Sequence, residues 1–318
     1  MQIIDFTAEH IETAAHLARF NYEEERGFVP ILPPIDRVPD LKPYAQNGFG
    51  VAAFEGNTMV GFLCSVPPFQ NAFGSTCATG VYSPMGANGA IGDNRARIYA
   101  RLYQAAAKKW VRAGASSHAI CLYAHDRESQ DQFFRYGFGL RCADAIRGVD
   151  EIVAPPCEGY SFSELTSDNV LEVLPLENML DHGYMDSPFF MHRTLNNEEE
   201  FLKNVECFQP VYFVARHEGR IVAFIRAEVD GETFIQETPG YLHVKGAYCM
   251  PEYRGKGLNQ TLLNMLIQKM KKNRYTLLGV DFESINPSAW GFWLKYFDAY
   301  THSVVRRVDE KAVISICS

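Results

Sequence analysis

The feature of this chain that most constrains its fold is an internal repeat. Thr7 follows a short apolar stretch and begins a helical pattern, and Thr166 does the same 159 residues later. A hairpin pattern with a Glu-Gly turn at Glu55 recurs at Glu218, 163 residues further on. Because this offset is the size of a whole domain and not of a solenoid repeat, we expect two copies of one fold.

Two further pairs of segments keep the same order along the chain. The stretch that ends at Pro84 is matched by the one that ends at Pro251, and each leads through glycines into a helical pattern. The stretch that ends at Asp126 is matched by the one that ends at Asn286, 160 residues later. An irregular segment with two adjacent prolines separates the halves. We predict an N-terminal domain over 1–152 and a C-terminal domain over 158–318.

Composition narrows the class of protein. No run of about 18 apolar residues occurs, so no membrane span is expected, and the N-terminus lacks the pattern of a signal peptide. The eight cysteines form no Cys-x-x-Cys pair, which favours a reducing, cytoplasmic location. A net charge of −8 argues against a nucleic-acid partner. The histidines and cysteines form no grouping typical of a metal site, so no metal is expected.

The segment with the clearest chemical meaning connects a predicted strand, 241–249, to a predicted helix. The connection contains two glycines, Gly255 and Gly257, and two cationic residues, Arg254 and Lys256. A strand that turns through glycines into a helix brings free backbone N–H groups to the positive end of that helix. The segment therefore predicts an anion site, most commonly one for phosphate. It lacks the spacing of a nucleotide-hydrolase loop and the third glycine of a dinucleotide-binding loop.

This loop resembles the acetyl-CoA loop of the GNAT N-acetyltransferases, whose pattern is Arg/Gln-x-x-Gly-x-Gly/Ala. Arg254, Gly257 and Asn259 stand at its three defined places. Downstream, Asn286 matches the Asn-x-x-Ala signature of the family, and Trp293 stands where many members have a tyrosine. The resemblance implies an α/β (α+β) fold with two tandem GNAT-like domains, each a mixed, mostly antiparallel sheet flanked by helices.

The same resemblance implies that acetyl-CoA, as the cosubstrate, lies in a wedge between the fourth strand and the fifth strand of the C-terminal domain. In this sequence those strands would be 241–249 and 275–283, with a bulge at Gly246 that separates them. The residues expected to bind acetyl-CoA are Cys249, Met250, Arg254, Gly255, Lys256, Gly257, Leu258, Asn259, Asn286 and Trp293.

Acetyl transfer also needs a base for the ammonium proton and an acid for the departing thiolate. An indole N–H is no useful acid, so Trp293 cannot replace the tyrosine of the family in that role. Tyr248 is a candidate for the replacement acid. The sequence does not choose among four candidates for the base, which are Glu283, Glu237, His243 and Glu228.

These observations predict an N-acetyltransferase that acts on an amine of a small molecule or peptide, as a monomer or homodimer. The first half lacks an arginine in the equivalent loop, so it resembles a degenerate acetyltransferase domain with a structural role. The alternative is a non-catalytic CoA-binding or scaffold protein built from GNAT domains. A third possibility is the transfer of a longer acyl chain, on which the sequence is silent.

Overall fold

The computed structural model describes residues 1–74 and 76–317. In the first half the strands are β1 (Gln2–Asp5), β2 (Val51–Glu55), β3 (Thr58–Leu63), β4 (Gly80–Ser83), β5 (Asn88–Ala90), β6 (Ser117–Tyr123) and β7 (Gly139–Gly148). The helices of this half are α1 (Ile11–Phe28), α2 (Lys42–Asn47), α3 (Arg95–Arg112) and α4 (Arg127–Arg135).

The second half repeats this order of elements, with one long strand in place of β4 and β5. Its strands are β8 (Tyr160–Glu164), β9 (Val211–His217), β10 (Arg220–Glu228), β11 (Tyr241–Cys249), β12 (Leu277–Glu283) and β13 (Asp298–Arg307). Its helices are α5 (Leu174–Met185), α6 (Glu198–Phe208), α7 (Leu258–Lys272), α8 (Pro287–Trp293) and α9 (Glu310–Cys317). Among the described residues, no helix is long and apolar enough to cross a membrane.

The compact units of the structure differ from the sequential ranges predicted for the domains. Unit 1 consists of Met1–Ala143 and Ala299–Ser318, and unit 2 consists of Asp144–Asp298. The difference has a specific cause: β13 pairs antiparallel with β6, so the end of the chain belongs to unit 1. The end of β7, in turn, belongs to unit 2. The domain ranges 1–152 and 158–318 therefore remain a prediction about the repeat. The last residue of the second range, Ser318, lies outside the described part.

Unit 1 contains an antiparallel sheet in the order β1-β2-β3-β5. The parallel pair β4 and β6 lies beside β13. Helix α3 buries an apolar stripe at helical spacing, which comprises Tyr99, Tyr103, Ala106 and Trp110. The indole N–H of Trp110 donates to the carbonyl of Phe49 at 3.0 Å, so the polar atom of this buried side chain is satisfied.

Unit 2 contains the strands β8 to β12 in sequence order, antiparallel except for the parallel pair β11 and β12. The predicted hairpin is β9–β10, and both Glu218 and Gly219 at its turn have positive φ angles. Helix α7 packs its apolar face into the unit, and its buried residues include Leu262, Leu266, Ile267 and Met270.

The parallel pair β11 and β12 separates partway along its length. Pairing runs from Tyr241–Leu277 to Val244–Val280 and stops there, although both strands continue. A bulge in β11 accompanies the separation, as predicted, but Gly246 itself pairs with Arg226 on β10. The extra residue is Lys245, one position earlier. A bulge increases the local twist of a strand, which opens a wedge between β11 and β12.

Candidate active site

A cavity of about 890 Å³ lies where β11 and β12 diverge. Its walls are the end of α5 with the loop after it, the second half of β11, the glycine loop, the start of α7, and α8. It is lined by all the residues predicted to bind the cosubstrate except Lys256: Cys249, Met250, Arg254, Gly255, Gly257, Leu258, Asn259, Asn286 and Trp293. The ammonium of Lys256 instead lies 5.0 Å from the ring centroid of Tyr253. We call this cavity the cleft.

One end of the cleft has the character of an anion site. Helix α7 begins at Leu258, so the unpaired backbone N–H groups of its first turn lie at this end. Arg254 donates through Nε to the carbonyl of Cys249 at 3.0 Å, and its other guanidinium N–H groups have no hydrogen-bond partner among the described residues. These N–H donors fit a phosphorylated cosubstrate such as acetyl-CoA. The buried Oδ1 of Asn259, an acceptor, has no hydrogen-bond partner among the described residues.

The structure adds a reason for the glycine at Gly257. Gly257 has a φ of 81°, and a Cβ at this position would lie 2.2 Å from Cγ of Pro155. The segment before β8 thus lies against the loop, where the thiol of Cys157 also donates to the carbonyl of Lys256 at 3.4 Å. The contact with Pro155 is therefore a constraint on Gly257 in addition to its positive φ.

Backbone N–H groups of β11 face the wedge. Met250 N donates to Val222 O on β10 at 3.0 Å, which fixes the alternation along this antiparallel pair. By that alternation, the N–H groups of Cys249 and Ala247 point away from β10. Because β12 no longer pairs with β11 at this level, these two N–H groups are available to a ligand in the cleft.

A second cavity, of about 390 Å³, adjoins the cleft. Both cavities are lined by Leu180, Tyr184, Ala247, Asn286, Ala289 and Trp293, so they meet at this point. Asn286 accepts a hydrogen bond from Ala289 N at 3.0 Å and caps α8, which gives a structural reason for the Asn-x-x-Ala match. The junction is therefore bordered by backbone on one wall and by the capped helix α8 on another.

A buried hydrogen-bonded chain ends at the second cavity. The hydroxyl of Tyr241 lies 2.5 Å from Nδ1 of His243, and Nε2 of His243 lies 2.8 Å from Oδ1 of Asp281. Asp281 lines the cavity, whereas His243 is buried behind it. Burial raises the pKa of Asp281, but the hydrogen bond and charge of His243 lower it by more than burial raises it. The pKa of Asp281 is therefore lowered overall. Asp281 is thus an ionised carboxylate at neutral pH.

The structure distributes the predicted catalytic residues unevenly. Glu283 lines the second cavity, and Tyr248 lines the cleft, where burial raises the pKa of its hydroxyl. His243 lines neither cavity and acts on the second cavity only through Asp281. Glu237 is exposed at the end of a short 3-10 turn and lines neither cavity, while Glu228 pairs with Arg226 at 3.3 Å.

Three residues at the site were missed by the sequence analysis. Asp281 stands two positions before Glu283 on β12, and the two-residue period of a strand could have placed both carboxylates on one face. Tyr184 borders both cavities, and burial raises its pKa to about 12. No sequence pattern signals Tyr184 or Ala247, because their importance depends on where the two cavities meet.

The equivalent region of unit 1 is filled by its own side chains. Asn88 donates to Ser83 Oγ at 3.0 Å and to the carbonyl of Cys121 at 3.1 Å, which ties β5 to β4 and β6. At the start of α3, the guanidinium of Arg95 donates to the carbonyl of Ala90 and pairs with Glu24 at 2.6 Å. In unit 1 the helix therefore begins with a side-chain cation that is already paired with a carboxylate.

Comparison with known proteins agrees with this geometry. Residues 178–298 match the model of the acetyltransferase (GNAT) family. A GCN5-related N-acetyltransferase from Sphaerobacter thermophilus has a similar structure, with a TM-score of 0.57, 11% identity, and coverage of 96% of this chain and 95% of that chain.

A fungal structure shares the fold as well. It is the GCN5-related glucosamine N-acetyltransferase region of a multi-domain GH3 β-N-acetylglucosaminidase, with a TM-score of 0.51 and 10% identity. The match covers 96% of this chain and 38% of the fungal chain. At such identities the likeness concerns the fold, which extends over nearly the whole of this chain. No curated protein matches the chain in sequence.

Proposed function

We propose that this chain, whose residues 178–298 match the model of the acetyltransferase (GNAT) family, transfers an acetyl group from acetyl-CoA to the amine of a small molecule or peptide. One observation carries the proposal. The cleft, with its anion-binding end, meets the charged second cavity beside Ala247, where β11 and β12 part. A thioester in the cleft and an amine in the second cavity would come together at this junction.

In this proposal the cleft residues bind and orient the cosubstrate. The start of α7 and Arg254 hold the phosphates, and the N–H groups of Ala247 and Cys249 hold the extended arm. Acetyl-CoA supplies a thioester carbon that the amine attacks, with CoA leaving as a thiolate. The N–H of Ala247, at the junction, donates to the carbonyl oxygen of the thioester as negative charge develops on it. Holding the amine and the thioester together supplies most of the remaining increase in reaction rate.

In this proposal, residues that line the second cavity take part in the proton transfers of the reaction. The acceptor enters as an ammonium ion, and its first proton leaves to water. As the C–N bond forms, the remaining N–H becomes strongly acidic, so even a carboxylate with a lowered pKa accepts that proton. His243 keeps Asp281 in place through its Nε2. When the C–S bond breaks, Tyr184 or Tyr248 donates a proton to the thiolate.

A second candidate function is a non-catalytic CoA-binding or scaffold protein. Two observations favour it: Trp293 replaces the tyrosine of the family, and unit 1 fills its equivalent loop with Arg95 and Glu24. In this alternative the cleft would bind CoA without turnover. We also propose a cytoplasmic location for the protein, a monomeric or homodimeric state, and a structural role for unit 1.

Calorimetric titration of the purified chain with acetyl-CoA tests the proposal first. We expect saturation near one equivalent, since only unit 2 has an open anion site among the described residues. Release of free thiol in the presence of an amine panel then separates the two functions. Binding with amine-dependent thiol release supports the enzyme, and binding without it supports the alternative. The absence of binding in folded protein contradicts both.

A further inference from the structure

We infer that the acceptor is a small zwitterionic amine, one that carries a carboxylate close to the amine that becomes acetylated, as an amino acid does. The inference rests on the proposed acetyl transfer and names the class of acceptor that the second cavity takes. It is carried by two opposite charges, on Arg193 and Asp181, that line this cavity without a partner.

Most charged groups in the wall of the second cavity are already paired. Arg226 bonds to Glu177 at 3.2 Å, and Glu177 also accepts a hydrogen bond from the hydroxyl of Tyr212 at 2.9 Å. Lys245 bonds to Glu232 at 3.0 Å. Asp281 has His243 as its partner. An acceptor gains little binding energy from groups whose charges are already neutralised. Its recognition therefore depends on the charged groups that have no partner.

Arg193 is the cation that remains. Its guanidinium carbon lies 4.7 Å from the ring centroid of Tyr184, so the group is stacked and held in place. Its buried Nε has no hydrogen-bond partner, and Arg193 forms no ion pair among the described residues. A buried donor without a partner is unfavourable, and the planar fork of a guanidinium suits a carboxylate. Arg193 therefore presents an anion site next to Tyr184, at the junction with the cleft.

Asp181 is the corresponding anion. It lies on α5, one turn before Tyr184, and also has neither a hydrogen bond nor an ion pair among the described residues. Burial raises its pKa, while the charges of Arg193 and Arg226 act in the opposite direction. Arg193 and Asp181 line the same cavity, and neither a hydrogen bond nor an ion pair joins them. A ligand with an ammonium and a carboxylate satisfies both groups across this gap.

The size and charge of the cavity separate this class from other amines. A volume of about 390 Å³ lies near the lower end of the range for small-molecule sites, which is roughly 300 to 1,000 Å³. A polyamine would neutralise Asp181 but place a further cation beside Arg193. The N-terminus of a peptide has no carboxylate next to its amine, so it would leave Arg193 unpaired.

The test compares free amino acids with their amides, in which an uncharged amide replaces the carboxylate. The full chain is assayed by thiol release at saturating acetyl-CoA. We expect the KM of each accepted amino acid to be about tenfold or more below that of its amide, since a charge-assisted bidentate pair is lost in the amide. Arg193→Gln should remove this difference, while the affinity for acetyl-CoA, measured by calorimetry, stays unchanged. Arg220→Gln, an exposed arginine outside both cavities, is the matched control.

The outcomes separate this inference from the function on which it rests. Equal KM values for acids and amides, or a preference that survives in folded Arg193→Gln protein, overturn the zwitterionic acceptor. If polyamines or peptides turn over and free amino acids do not, the inference fails and the acetyl transfer stands. If acetyl-CoA does not bind to the wild-type chain, the proposed function itself fails. Arg193→Lys, which keeps the charge but not the fork, should retain part of the preference.

Discussion

Nε2 of His243 lies 2.8 Å from Oδ1 of Asp281, and this bond joins the parallel strands β11 and β12 just before they separate. His243 is 1% exposed, so it meets no ligand itself. Asp281 is the member of the pair that lines the second cavity. The sequence suggested His243 as a base, whereas the geometry makes it the residue that positions Asp281.

Asp281→Asn should lower kcat by about 100-fold or more, because the amide cannot accept the proton of the attacking amine. Its affinity for acetyl-CoA should stay unchanged, since Asp281 does not line the cleft. His243→Gln should lower kcat less and change its pH profile, because Asp281 loses the group that lowers its pKa. Thiol release over a range of pH, with calorimetry as the control, measures both. Full activity in Asp281→Asn would assign the base to another residue, with Glu283 as the next to be tested.

Tyr184→Phe should lower kcat by about 10- to 100-fold, while Tyr248→Phe should have a smaller effect. Tyr184 borders both cavities, whereas Tyr248 lines only the cleft. Burial raises the pKa of both, so each keeps its proton at neutral pH. Steady-state kinetics of the two variants provides a matched comparison. A larger loss in Tyr248→Phe would reverse the assignment of the acid.

Gly257→Ala should weaken acetyl-CoA binding, because the added Cβ would lie 2.2 Å from Cγ of Pro155 and displace the loop. The double variant with Pro155→Ala should recover part of the affinity, since that change removes the clashing atoms. Some loss should persist, because alanine is strained at a φ of 81°. Calorimetry measures the affinities, and Gly255→Ala, where a Cβ would meet nothing within 4 Å, isolates the effect of positive φ. Equal losses in both single variants would rule out the contact with Pro155 as the cause.

Acid should destabilise unit 1 through His118. The Nε2–H of His118 donates to Ala115 O at 3.2 Å and its Nδ1 accepts from the hydroxyl of Tyr103, so the neutral ring is fully bonded. Burial lowers its pKa from 6.5 to about 4. The unfolded chain therefore binds more protons between these two values, and stability falls as the pH drops through this range. The loss from His118 is about 2 kcal/mol at pH 5.

Denaturant unfolding at neutral pH and at pH 5 checks this effect. In His118→Gln the dependence on pH should become shallower by about that amount. It should not vanish, since the pKa of His302 is also lowered by burial to about 4. An unchanged dependence on pH in His118→Gln would contradict the assignment.

The sequence determined the features that depend on local pattern. The repeated order of elements, the hairpins at Glu55 and Glu218, and the buried stripe of α3 all follow from hydrophobic periodicity and turn chemistry. The turn through Gly255 and Gly257 into α7 follows from its glycines in the same way. These signals lie within a few residues of each other, so a single sequence carries them.

Only the tertiary structure decided the features that depend on distant segments. The membership of β13 in unit 1 depends on its pairing with β6, about 180 residues earlier in the chain. The contact of Pro155 with Gly257 and the pair of His243 with Asp281 are likewise set by how separate segments meet. The carboxylates that line the second cavity are decided by where β12 leaves β11, because a single bulge determines which side chains line the wedge.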